Sequence, residues 1–213
     1  MNGRVLVIAP HADDEVLGVG GTIARHVSEG DEVAVVVAAD RKGISDRQRR
    51  QAQKAREILG YQSLTFFGLS DEHIEQDVNL LIELTEEAIK NISPDIIYTC
   101  HSGDFNLDHQ AVFKASVVAC RILQENPPKR LVSYEIPSST QQGLTTPFVP
   151  NFYRKLSVDN LDLKLQAFNQ YKDEIRSLPN PRNEDGLANF AIQRGMDSGT
   201  SFAEAFMILR EVS

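Results

Sequence analysis

Val5-Leu6-Val7-Ile8-Ala9 running into Pro10-His11-Ala12-Asp13-Asp14-Glu15 is the stretch on which the reading of this 213-residue chain turns. The first five residues form a short apolar run rich in β-branched side chains, which predicts a buried strand, and the residues after Glu15 take up helical spacing. The strand therefore delivers Pro10 to Glu15 to its own carboxyl end, the edge of an open α/β sheet at which ligands bind. A histidine and two aspartates in four residues offer nitrogen and oxygen donors suited to a divalent cation, with one carboxylate to spare for proton transfer. The same residues also suit a plain helix start, because acidic side chains in a first turn cap free N–H groups and complement the helix dipole.

A second cluster repeats the pattern. Asp95 to Cys100 reads as another buried strand, followed by His101-Ser102-Gly103-Asp104-Phe105-Asn106-Leu107-Asp108-His109 before the next helical pattern. In a doubly wound sheet the first strand of each half lies at the topological switch point, so both carboxyl-end loops face one crevice. His11, Asp14 and His109 are placed to meet there. The expected fold is thus α/β, a Rossmann-like, doubly wound, mostly parallel sheet with helices on both faces, in a single domain over residues 1–213.

A helix is expected over Asp14 to Glu29, interrupted by Gly18, Gly20 and Gly21, each costing about 1 kcal/mol relative to alanine unless packing or a substrate needs the space. Strands follow at Glu32 to Ala39, Ser63 to Phe67 and Leu131 to Ile136. Helices are expected from Ser45 or Asp46 to Leu59, from Asp77 to Asn91 and from Ala111 to Leu123. Pro137 to Pro150 loses periodicity and reads as a long loop leaving a carboxyl end, a candidate for substrate selectivity. Phe152 to Leu156 reads as a short strand, Leu161 to Ile175 as a helix, Pro179 to Asp185 as a turn-rich break, Leu187 to Arg194 as a short helix, and the last apolar residues as a terminal strand.

At the two clusters the chain resembles the LmbE-like or PIG-L deacetylases, zinc enzymes that remove an acetyl group from N-acetylglucosamine units. The family's first motif, His-Pro-Asp-Asp-Glu, stands here as His11-Ala12-Asp13-Asp14-Glu15, and its second ends in Asp-His, matched by Asp108-His109. Many members carry a histidine where this chain has Asn106, while a similar branch shows His-x-Gly-Asp-x-Asn-x-Asp-His, reproduced in full by His101 to His109. The resemblance extends to Tyr134 to Ser139 and Phe202 to Phe206. It implies that His11, Asp14 and His109 hold zinc, or Fe2+ or another divalent ion in its place, that Asp13 is the general base, and that the substrate is a small or conjugated N-acetyl sugar. His101, at the end of a buried strand, is expected to donate a proton or orient a neighbour, and Asp104 and Asn106 to contact substrate. Asp108 suits the N-cap of the following helix equally well. Family members often hold substrate with an arginine where this chain has Gln48, and the flanking Arg47 and Arg49 read as a solvated face.

A net charge of −8 argues against a nucleic-acid partner, which needs a basic stripe. Cys100 and Cys120 have no Cys-x-x-Cys spacing and read as reduced and buried. His26 and His73 read as surface residues. The first apolar run is too short for a membrane span and lacks a basic leader, so a cytoplasmic protein is expected; a homo-oligomer is compatible with the sequence. Two competing readings remain: a nucleotide or nucleotide-sugar binding module in which the acidic residues only cap helices, and a metal hydrolase for another amide or ester. A phosphoesterase would call for a second metal or a cationic clamp.

Overall fold

The computed structural model describes residues 3–122 and 127–212. Strands β1 (Arg4–Ala9), β2 (Glu32–Asp40), β3 (Ser63–Ser70), β4 (Ile96–Cys100), β5 (Arg130–Tyr134), β6 (Phe152–Lys155) and β7 (Ala203–Glu211) form one sheet in the order β3-β2-β1-β4-β5-β7-β6. The first five are parallel, with Val7 opposite Val35 on one side and Tyr98 on the other, and β7 runs antiparallel between β5 and β6. The side chains of Val5 to Ala9 are fully buried because helices cover both faces, the reason a parallel strand reads as an unbroken apolar run.

Helices α1 (Asp14–Ser28), α2 (Ser45–Leu59) and α5 (Val158–Phe168) pack together on one face, and α3 (Val78–Ile92) and α4 (Leu107–Ala119) on the other; α6 (Glu184–Ser198) packs beside β7. From β1 the chain winds outward to β2 and β3, then returns to β4 beside β1 and winds the other way. This is the expected switch point, and it puts the loops after β1 and β4 side by side. Among the described residues no helix is long and apolar enough to cross a membrane.

The glycines of α1 serve close packing. A Cβ on Gly18 would lie 2.3 Å from the Tyr134 ring, and one on Gly21 would lie 2.5 Å from Leu156. The same stretch is tied to the last strand, where Glu204 accepts from the Gly21 and Thr22 N–H groups at 3.0 and 2.7 Å and pairs with the buried Lys164.

Several boundaries differ from the sequence reading. Helix α4 begins four residues early, because the Asn106 side-chain oxygen Oδ1 caps the Asp108 N–H at 2.8 Å; its expected end at Leu123 lies outside the described residues. Helix α2 is preceded by Ile44 with no side-chain cap, so neither Ser45 nor Asp46 caps it. A capping box between Ser157 and Asn160 starts α5 early, and the helix stops at Phe168, leaving residues 169–183 as a loop. His26 is buried, not a surface residue, because Asp31 and the Tyr98 hydroxyl lie 2.7 and 3.0 Å from its ring nitrogens. Cys100 and Cys120 are free and buried, as expected.

Candidate active site

The turn after β1 brings His11 and Asp14 toward the first turn of α4, which carries His109. The His11 Nδ1 atom lies 3.2 Å from Asp14 Oδ2, His109 Nε2 lies 3.3 Å from the same oxygen, and the two nitrogens are 3.3 Å apart. Two donors of a tetrahedral zinc, each about 2.0–2.1 Å from the ion, sit about 3.3 Å from each other. The triangle therefore has the edge length that a zinc ion requires. Asp14 Oδ1 is buried without a hydrogen-bond partner among the described residues, an unsatisfied acceptor that an ion would answer.

Carboxylates lie against the far side of each ring. His11 Nε2 lies 3.1 Å from both Asp108 Oδ2 and Asp71 Oδ1, and His109 Nδ1 lies 3.2 Å from Asp104 Oδ1. Such partners fix ring orientation and tautomer for ligation. Burial opposes charge on either ring, yet Asp14 and Asp104 lift the His109 pKa to about 9, and Asp108, Asp14 and Asp71 raise that of His11. Burial also opposes ionisation of Asp14, but His109 and His11 hold its carboxyl far below the usual range. These carboxylates favour positive charge between the rings, and a cation bound there would take the place of the protons.

Asp13 is buried beside this triangle without belonging to it. Its φ of 125° lies in the left-handed half of backbone space, which costs an ordinary residue about 1–3 kcal/mol and is a mark of functional sites. Glu15 accepts the Asp13 N–H at 3.0 Å and the Tyr171 hydroxyl, and burial pushes its own pKa up to about 7. On the side chain, Arg182 Nη1 donates to Asp13 Oδ2 at 3.0 Å and to Glu174 Oε2 at 3.3 Å, and Arg182 Nε donates to Ser138 Oγ at 2.7 Å. Burial raises the Asp13 pKa well above the ordinary range, Arg182 works against it, and Asp14, Glu174 and Glu15 reinforce it.

A cavity of about 290 Å³ opens over the triangle, lined by His11, Asp13 and His109 and by Arg41, Gln48, Asp71, Phe105, Glu174 and Arg182 among others. The other sequence candidates lie at different depths. Asn106 lines the cavity, although its side-chain Oδ1 is engaged as the α4 cap. Asp104 sits behind His109, accepting from Ser139 Oγ and Thr140 Oγ1 at 2.7 Å each, and is not at the cavity wall. His101 is likewise not at the wall: its Nε2 lies 3.0 Å from the Thr146 carbonyl and its ring stands edge-on to Phe148, so it anchors the Pro137 to Pro150 loop. Only the first turn of that loop, at Ser138 and Ser139, reaches the cavity. Asp108 is no helix cap; it accepts from the Glu72 and Ile74 N–H groups at 2.7 and 3.1 Å while holding His11. Because Asp104 touches the ring of His109, Asp104→Asn is expected to weaken metal affinity about 10- to 100-fold at unchanged stoichiometry, read by competition with a chromogenic chelator.

Sequence reasoning missed Arg182 and Glu174. Arg182 lies 169 positions from Asp13, in a stretch whose prolines and asparagines signal only turns.

Residues 6–120 match the family described as PIG-L, GlcNAc-PI de-N-acetylase. An uncharacterized deacetylase of Escherichia coli, YaiS, is 31% identical over 79% of this chain and 90% of its own length. The N,N'-diacetylchitobiose deacetylase of Pyrococcus horikoshii superposes with a TM-score of 0.78 at 19% identity, covering 97% of this chain and 84% of that one. A 4-carboxy-2-hydroxymuconate hydratase from Pseudomonas putida gives a TM-score of 0.81 at 21% identity, covering 100% and 98%. These last two likenesses establish the shared fold. The chain belongs to the PIG-L family, whose named chemistry is de-N-acetylation.

Proposed function

We propose, with membership of this family as the premise, that the protein is a zinc-dependent deacetylase that hydrolyses the acetamido group of an N-acetylated hexosamine, free or conjugated. One observation carries the reading: three donors converge at the spacing of a metal site, and a buried carboxylate that is not one of them stands next to it at the cavity wall. His11, Asp14 and His109 would hold the ion. Bound there, a divalent cation supplies a Lewis acid for the amide carbonyl and brings the pKa of water down to about 7.

The remaining steps fall to the chain's own groups. Asp13 takes the proton of the attacking water and returns it to the departing nitrogen, leaving acetate and a free amine. Arg182 fixes the Asp13 carboxylate by its 3.0 Å contact and brings a positive charge to the same cavity, where negative charge develops on the carbonyl oxygen. His101, bound to the Thr146 carbonyl, stands outside this proton path.

The test is acetate release from free N-acetylglucosamine, chitin-type oligomers and lipid or nucleotide conjugates. Release is expected to vanish on chelation and to return with zinc, and reconstitution with iron instead compares the two ions. No release from any sugar by protein carrying one equivalent of metal would overturn the reading and point to another amide, an ester or a hydration reaction.

A further inference from the structure

The charge of the cavity wall bears on what the acetylated sugar is attached to, and this step rests on the deacetylase reading. Four carboxylates line the cavity, those of Asp13, Asp71, Glu72 and Glu174, against the two guanidinium groups of Arg41 and Arg182. Both arginines are already engaged. Arg182 is bound to Asp13 and Glu174, and Arg41 lies 3.7 Å from Glu174 and 3.8 Å from Asp71. Glu72, by contrast, is exposed and has no ion pair among the described residues.

The backbone of Glu72 is held in place. Its N–H donates to Asp108 Oδ2 at 2.7 Å, which ties it to the turn that carries Phe105. Phe105 lines the same cavity with 55% of its surface exposed. The cavity lining thus includes, at Glu72 and Phe105, an acidic residue without an ion pair and a half-exposed aromatic ring, and among the described residues both arginines of that lining are already paired. A phosphate or carboxylate attached to the sugar would meet Glu72 with nothing to offset the repulsion, a form of discrimination by unpaired like charge. An uncharged or amine-bearing group would meet a hydrogen-bond acceptor and a flat apolar surface instead.

We propose that Glu72 and Phe105 form a subsite for the group attached to the acetylated sugar, one that accepts an uncharged or amine-bearing group such as a second hexosamine ring and rejects phosphate- or carboxylate-bearing conjugates. The experiment pairs N,N'-diacetylchitobiose with N-acetylglucosamine 1-phosphate. Binding of each to metal-loaded Asp13→Asn protein is measured by calorimetry, and acetate release by the unsubstituted enzyme is followed in parallel. The disaccharide is expected to bind at least tenfold more tightly. Glu72→Arg should narrow that gap at least tenfold by tightening the phosphate, and Phe105→Ala should weaken the disaccharide while leaving free N-acetylglucosamine unchanged. Equal or tighter binding of the phosphate, an unaltered ratio in Glu72→Arg, or no binding of either ligand would overturn the subsite. Selective binding of the disaccharide without acetate release from any sugar would leave the subsite standing and overturn the deacetylase reading instead.

Discussion

Replacing Asp13 by asparagine is expected to lower kcat for acetate release by about 10²- to 10⁴-fold while the protein still binds one equivalent of metal. The separation follows from geometry. The three converging donors belong to His11, Asp14 and His109, and the Asp13 carboxylate is directed to Arg182 instead. Asparagine keeps the size of the side chain and an oxygen to accept from Arg182, and Glu174, 3.3 Å from the same guanidinium nitrogen, remains to balance its charge. The fold and the strained turn are therefore retained, and only the capacity to take a proton is removed. Metal content by atomic absorption and turnover measured on one preparation read the two effects side by side. Turnover near that of the unsubstituted enzyme would show that another group carries the proton.

The part of this arrangement that the sequence made legible is the part written in short-range pattern. Val5 to Ala9 and Ile96 to Cys100 carry no charged residue and are mostly apolar, which implies a covered parallel sheet. A parallel sheet places the residue runs after its central strands at a common edge, so His11, Asp14 and His109 follow from two local readings and one rule of topology. Other features depended on contacts made across the fold. His101 directly follows β4, but its direction is set by the Thr146 carbonyl 45 positions away, which draws it under the long loop. Asp104, whose place in the second cluster suggests a substrate contact, is held behind His109 by Ser139 and Thr140 from the neighbouring loop. Arg182 reaches Asp13 only because α5 ends at Phe168 and the released chain folds back over the crevice, and apolar periodicity ran the expected helix on to Ile175. Where a single side chain decided a boundary, as Asn106 does at α4, the pattern of apolar residues placed the helix start one turn too late.

Replacing His109 by alanine is expected to abolish stoichiometric metal binding, and activity with it. Zinc sites held by four ligands bind with about 10–16 kcal/mol, so one donor is worth roughly 2.5–4 kcal/mol, or about 10²- to 10³-fold in affinity. The loss should be at least that large here, because among the described residues three donors converge in this group and His109 Nε2 closes the triangle with Asp14 and His11. The substitution also decides between two places for the ion. His11, Asp71 and Asp108 form a second group close enough to share a metal, reached through the other nitrogen of the His11 ring. That group leaves His109 untouched and Asp14 Oδ1 unsatisfied, and Asp108 within it already accepts from two backbone N–H groups. If the ion sat there, His109→Ala protein would keep its metal at nearly unchanged affinity, whereas Asp71→Asn would lose it. If it sits in the triangle, the pattern reverses: His109→Ala is stripped, and Asp71→Asn, which only helps to orient the His11 ring, stays loaded at a modestly weaker affinity. Metal competition titrations on the two variants, with circular dichroism to confirm that both fold, give opposite answers for the two positions.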